Sequence, residues 1–149
     1  MMKKNILVIS LIFFLVNCGF TPIYLKNTDI NFSIEQVNYT GDKELNNFLK
    51  TNLDQYKNKK IDNKIYIQAD SIYKKIVLSK DGAGEVTNYQ LEAEVIFLIK
   101  PLSKRIKITE KKIMDSMDDK FEEARKERTI KQNFASSISN KLTSEIIVN

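Results

Sequence analysis

Residues 86–99 read Val-Thr-Asn-Tyr-Gln-Leu-Glu-Ala-Glu-Val-Ile-Phe-Leu-Ile. Tyr89, Leu91, Ala93, Val95, Phe97 and Ile99 fall on one side of an extended chain, while Asn88, Gln90, Glu92 and Glu94 fall on the other. Such alternation marks a strand with one face in a core and the other in polar surroundings. Ile96-Phe97-Leu98-Ile99 leaves both faces apolar, with one side expected under a helix and the other under a loop or strand end; a partner contact is the lesser alternative. Upstream, Lys80-Asp81-Gly82-Ala83-Gly84 is turn chemistry. Before that turn, Lys64 to Ser79 alternates through Ile65, Ile67 and Ala69 and then shifts phase at Ile76-Val77-Leu78. Two strands around a short Gly-containing loop make an antiparallel hairpin. Downstream, Lys100-Pro101-Leu102-Ser103 turns the chain into a further strand through Ile106 and Ile108, which completes a contiguous meander.

Working outward, Ile30, Phe32 and Ile34 alternate as another strand, and Val37 and Tyr39 resume one residue out of phase. That slip predicts a bulge, or an end to pairing, near Glu35-Gln36. Thr40-Gly41-Asp42 opens a helix whose Leu45, Phe48, Leu49, Leu53 and Tyr56 cover about 140° of the wheel, a stripe that docks on something flat. At the other end, Asp118-Asp119 favours the start of a helix running to about Val148. Its Ile130, Phe134, Ile138, Leu142 and Ile146 step by four, with Phe121, Ala124 and Ala135 near the same side. Arg128 and Lys131 interrupt that stripe, so its first turns are expected to be less buried than its last. The order β-α-β-β-β-α predicts an α+β domain, two helices packed on one face of a four-stranded, mostly antiparallel sheet.

The composition narrows the chemistry. The 149 residues are 42% hydrophobic and 29% charged, with one Cys and no His or Trp. Without His there is no Ser–His–Asp triad and no His-ligated zinc, and one Cys makes neither an intrachain disulfide nor a thiolate metal site. No cofactor is implied. The net charge of +5 includes Lys3 and Lys4. Only three basic residues are Arg, and acidic residues are interleaved with the rest. Base readout leans on bidentate Arg, so nucleic acid is not an expected partner.

Lys3-Lys4 precede Ile6 to Val16, an apolar run interrupted only by Ser10. As a helix it spans about 16 Å, roughly half of a hydrocarbon core, which fits a secretory signal rather than a membrane anchor. The run ends at Leu15-Val16-Asn17-Cys18-Gly19, which resembles a bacterial lipobox; Leu15 and Val16 match, and Asn17 stands where a small residue is usual. The expected organisation is a signal peptide over 1–17, lipidated Cys18 and a tether over 18–29, and a single domain over 30–149. Three acyl chains on Cys18 would hold the protein on a bilayer far more firmly than one. Gly19 after the Cys, by resemblance to bacterial sorting rules, favours the outer membrane, on its periplasmic side.

Cys18-Gly19-Phe20 with Pro22, the stretch from Val77-Leu78-Ser79-Lys80-Asp81-Gly82 to Tyr89-Gln90-Leu91, and Ala124-Arg125 in the last helix carry a resemblance. Over essentially the whole mature chain the sequence resembles the lipopolysaccharide (LPS)-assembly lipoproteins, the LptE family. The resemblance implies a non-enzymatic outer-membrane lipoprotein that inserts into a large outer-membrane β-barrel LPS-assembly protein, helps it assemble, and binds LPS on its way to the outer leaflet. It implies Lys80, Arg125 and its neighbour Lys126 as ligand-binding residues; Arg suits phosphate because its planar fork donates two hydrogen bonds at once. The polar side chains of Asn88, Gln90, Glu92 and Glu94 either meet a polar barrel lumen or are a solvated sheet face.

Two other functions are compatible with the residues alone. A glycosidase could use Glu92 and Glu94 as paired carboxylates, but no Trp platform or evident cleft accompanies them. A generic lipid-anchored periplasmic adaptor, binding another envelope protein or peptidoglycan, shares every feature up to the fold.

Overall fold

The structure, a computed structural model, describes residues 31–57 and 60–147. The expected signal peptide, Cys18 and the tether lie outside the described residues. The elements run β1 (Ser33–Gly41), α1 (Lys43–Leu53), β2 (Lys64–Lys80), β3 (Val86–Lys100), β4 (Lys104–Asp115) and α2 (Lys120–Ile147), with a 3-10 turn at Asp54–Tyr56 after α1. The four strands form one open sheet in the order β1-β2-β3-β4. β1 runs parallel to β2, and the other two pairings are antiparallel. The α+β architecture and the meander of β2, β3 and β4 are as the sequence predicts.

The parallel pairing follows from the connection. A parallel pair needs a crossover, and α1 supplies it. The bulge in β1 falls between Ile34 and Gln36, where the alternation slips. Gly41 then turns the chain into α1 with φ +92, a region open to glycine at little cost. The Asp42 carboxylate caps the helix by accepting from the Leu45 N–H at 2.7 Å, and the Asp42 N–H donates to the Ser71 carbonyl at 3.1 Å. The start of α1 is thereby fixed to β2.

One face of the sheet carries the core. Ile65, Ile67 and Ala69 of β2, Leu91, Ala93, Val95, Phe97 and Ile99 of β3, and Ile106, Ile108 and Met114 of β4 are buried there. Leu45, Leu49 and Leu53 of α1 and Ile130, Phe134, Ala135, Ile138, Leu142 and Ile146 of α2 cover them. Each fully buried Leu, Ile or Phe contributes about 1.5–3 kcal/mol of hydrophobic free energy. Phe32, just before β1, stacks on Tyr56 with ring centroids 5.9 Å apart, which closes the end of the core beside the 3-10 turn.

The amino-terminal turns of α2 are less buried than the last turns, as expected, but which side chains are buried there differs from the expectation. Phe121 is 75% exposed and Ala124 is exposed, whereas Glu123 and Lys131 are buried. The helix begins at Lys120, capped by the Asp119 carboxylate, which accepts from the N–H groups of Phe121 at 2.9 Å and Glu122 at 3.2 Å. The stripe is not interrupted at Lys131. It changes from apolar contacts to ion pairs.

Candidate functional site

The polar seam under the start of α2 is built from three elements. Lys75 of β2 donates to Glu123 and to Glu127, both at 2.9 Å, and its ammonium lies 4.2 Å from the centre of the Tyr89 ring of β3. Glu123 also accepts from the Met117 N–H at 3.0 Å, the Ser116 hydroxyl at 3.2 Å and Lys120 at 3.1 Å. The Met117 N–H, then Lys75 and Lys120, outweigh the penalty of burial and hold the Glu123 carboxyl down at about 2. Burial alone would lower the pKa of Lys75, but Glu127 and Glu123 raise it instead. Tyr73 donates to Glu127 at 3.0 Å; burial first, and then Glu127, push its hydroxyl above the usual phenol range. One turn further along, Lys131 donates to Glu44 of α1 at 2.8 Å and sits 4.0 Å from the centre of the Tyr73 ring.

This seam fixes where Arg125 and Lys126 can be. With Glu123 and Glu127 turned inward, the residues between them face solvent on the side toward β4. Arg125 and Lys126 line a groove there with Lys112 of β4, over a floor that includes Met117 and Ile130. Arg125 touches Glu122 at 3.5 Å; Lys112 and Lys126 have no ion-pair partner among the described residues. Lys80 stands elsewhere. It ends β2 opposite Val86 at the tip of the β2–β3 hairpin, exposed. It shares the same end of the molecule with Arg125, because Ser116, just before α2, donates its N–H to the Thr87 carbonyl at 2.8 Å. It does not line the groove. Of the three ligand-binding residues implied by resemblance, the structure brings two together and sets the third on the neighbouring hairpin.

Lys112 lines this groove and was not singled out by the sequence reading. Strand alternation carried past Ile106 and Ile108 to Met114 places Lys112 on the helix-bearing side, at the edge of the sheet, where a cation can face α2 without being buried by it. Two-residue counting through the whole of β4 would have found it.

The second surface is the opposite face of the sheet, which no described element covers. Across its middle, Lys111 and Lys107 of β4 pair with Glu92 at 3.0 Å and Glu94 at 2.8 Å. The hydrogen bond from Lys111 is the main reason Glu92 sits below the usual carboxylate range. Asn88 donates to Asp115 at 2.7 Å. Ile72 is exposed within this band, opposite Glu94; either side of the band is more apolar, with Ile76 and Ile113 exposed toward the hairpin end. Toward the other end, half-buried Ile96 and exposed Leu98 floor a hollow edged by Asn38, Gln68, Asp70 and Arg105. The doubly apolar stretch 96–99 therefore has Phe97 and Ile99 in the core and Ile96 and Leu98 on the uncovered face.

Among the described residues no helix is long and apolar enough to cross a membrane, and no three acidic or Cys side chains are grouped to hold a metal ion.

Two helices on one face of a mixed four-stranded sheet, with β1 added in parallel through a helical crossover, is an arrangement shared with solved bacterial lipoproteins. The chain is similar to rare lipoprotein B from Shewanella oneidensis, with 16% identity and a TM-score of 0.57 over 75% of this chain and 93% of that one. It is similar to an uncharacterized lipoprotein B from Nitrosomonas europaea, with 17% identity and a TM-score of 0.55 over 78% and 85%. A minor lipoprotein from Acinetobacter baumannii gives 12% identity and a TM-score of 0.55 over 77% and 92%. At these identities the likeness is one of fold. No family model matches the sequence, and no curated protein matches it.

Proposed function

We propose that this chain is a lipid-anchored outer-membrane lipoprotein that inserts into an LPS-assembly β-barrel, helps it assemble, and binds LPS during its delivery to the outer leaflet. The observation that carries the reading is the coincidence of a fold shared with several lipoproteins and a lone Cys at the end of a signal-like apolar run. The uncovered sheet face supports it. A surface docking into a polar lumen must not strand unpaired charge, and here the carboxylates of Glu92 and Glu94 are already neutralised by Lys111 and Lys107. The same pairings argue against glycosidase chemistry, in which one carboxyl must be raised to stay protonated as a general acid. Glu92 is shifted the other way and is not that acid.

The test is co-purification of the full chain from detergent-solubilised outer membranes, with mass spectrometry of its amino terminus. The expected result is a stoichiometric large β-barrel together with an acylated Cys18 as first residue, and Cys18→Ala should move the chain out of the membrane fraction. Recovery of periplasmic partners alone would favour the adaptor instead, and an unmodified amino terminus retaining residues 1–17 would refute the anchor.

A further inference from the structure

We infer that the distal half of β2, Ile72 to Leu78, is a docking edge that takes one more strand from another polypeptide, an extended segment with two aliphatic side chains flanking a carboxylate on one face. This edge owes nothing to the LPS reading.

Its origin is a difference in strand length. β1 has 9 residues and β2 has 17, and their parallel pairing ends at Gly41 opposite Ser71. There the chain leaves the sheet, with the Asp42 N–H on the Ser71 carbonyl at 3.1 Å. From Ile72 onward, among the described residues, β2 has a strand partner only in β3. In an antiparallel pair, alternate residues direct both backbone groups toward the partner strand and the rest direct both away from it. The Ser71 carbonyl points away from β3, so Tyr73, Lys75 and Val77 turn their N–H and C=O groups to the open side. The slot is roughly 20 Å long, and such a row of backbone groups is a template for strand addition.

Side chains leave this edge unguarded. Ile72, Ile76, Val77 and Leu78 are 44%, 41%, 46% and 46% exposed. The outer edge of the sheet at β4 carries exposed Lys107, Lys111 and Lys112, the charges that discourage pairing. Along Ile72–Leu78, Lys75 is turned onto Glu123 and Glu127, and Lys74 is exposed with no ion-pair partner among the described residues.

These residues also select the occupant. Ile72, Lys74 and Ile76 share the uncovered face of the sheet, so a strand laid alongside meets them with aliphatic, acidic and aliphatic side chains in turn. A second copy of β2 does not fit. Pairing Ile72–Leu78 of two copies antiparallel sets Ser71 of one opposite Ser79 of the other. The β1 strand already beside Ser71 fills the space that Ser79 and Lys80 need. The slot therefore suits a loop or terminal segment of a partner.

The experiment titrates the full chain in detergent with the end-blocked peptide Thr-Val-Thr-Glu-Thr-Val-Thr, followed by fluorescence anisotropy and by amide hydrogen exchange. In the free chain the N–H groups of Tyr73, Lys75 and Val77 should exchange about tenfold or more faster than those of Lys74 and Ile76, which face β3. Saturating peptide should slow them to the same level. Lys74→Glu should weaken binding about threefold to tenfold and favour the same peptide with Lys in place of Glu. Val77→Pro removes an outward N–H that no strand of the fold uses and should weaken binding about tenfold. Val77→Lys guards the edge without altering the backbone and should act in the same direction, whether or not Val77→Pro folds. Failure of the native chain to bind the peptide, or equal binding by Lys74→Glu and Val77→Lys, would overturn the proposal. Protection of Tyr73, Lys75 and Val77 before peptide is added would overturn it too, since the edge is then filled by another part of the chain or by a second copy. None of these outcomes bears on LPS binding.

Discussion

Replacing Glu123 by Gln tests whether the start of α2, and with it the placement of Arg125 and Lys126, depends on one buried carboxylate. Glu123 accepts from a backbone N–H, a hydroxyl and two ammonium groups, and its pKa falls from 4.5 to about 2. A displacement of that size sets an upper bound of about 3 kcal/mol on its contribution to stability. Lys120 is largely in water, and screening of that partner lowers the expectation to about 1–2 kcal/mol. Because the folded-state pKa lies below the unfolded one, this stabilisation is complete above the unfolded value near 4.5 and is lost as pH falls toward 2. Urea midpoints measured between pH 6 and pH 2 should therefore fall more steeply for the native protein than for Glu123→Gln. At pH 7 the variant should be the less stable by about 1–2 kcal/mol. Parallel pH profiles for the two proteins would show that the carboxylate is not held as the geometry implies.

Gly41→Ala should destabilise by more than about 2 kcal/mol, since φ is +92 and an added Cβ would lie 1.8 Å from the Ser71 carbonyl oxygen; an unchanged denaturation midpoint would contradict it. Lys131→Ala removes a buried ammonium from Glu44 and from the Tyr73 ring and should cost about 1–3 kcal/mol; the loss should shrink when Glu44 is already Gln, which a double-mutant cycle measures.

The β-meander and the first helix were legible because each obeys a single period. The alternation over 86–99, the glycines of the hairpin turn and the slip at Glu35-Gln36 are local signals, and each reappears as a strand, a turn and a bulge. The start of α2 was not legible in the same way. A wheel that scores Lys and Glu as outward places Phe121 inside and Lys131 outside, and the structure reverses both. The reason is non-local: the partners that make Glu123 and Lys131 affordable to bury are Lys75 on β2 and Glu44 on α1, far away in the chain. For the candidate site, the family resemblance pointed to Lys80, Arg125 and Lys126, but only the strand register brings Lys112 opposite the last two and leaves Lys80 on the other hairpin.

The parallel docking of β1 has a mechanical consequence. Ser33 pairs with Lys64, so the chain enters the sheet where β2 begins, and β2 then runs 17 residues to Lys80, a distance of about 50 Å. An attachment made through the amino-terminal side thus grips the molecule by its heel, and the hairpin tip and the Arg125 groove stand at the far end of a stiff boom. Under the anchor proposed at Cys18, that length adds to whatever distance separates the heel from the bilayer.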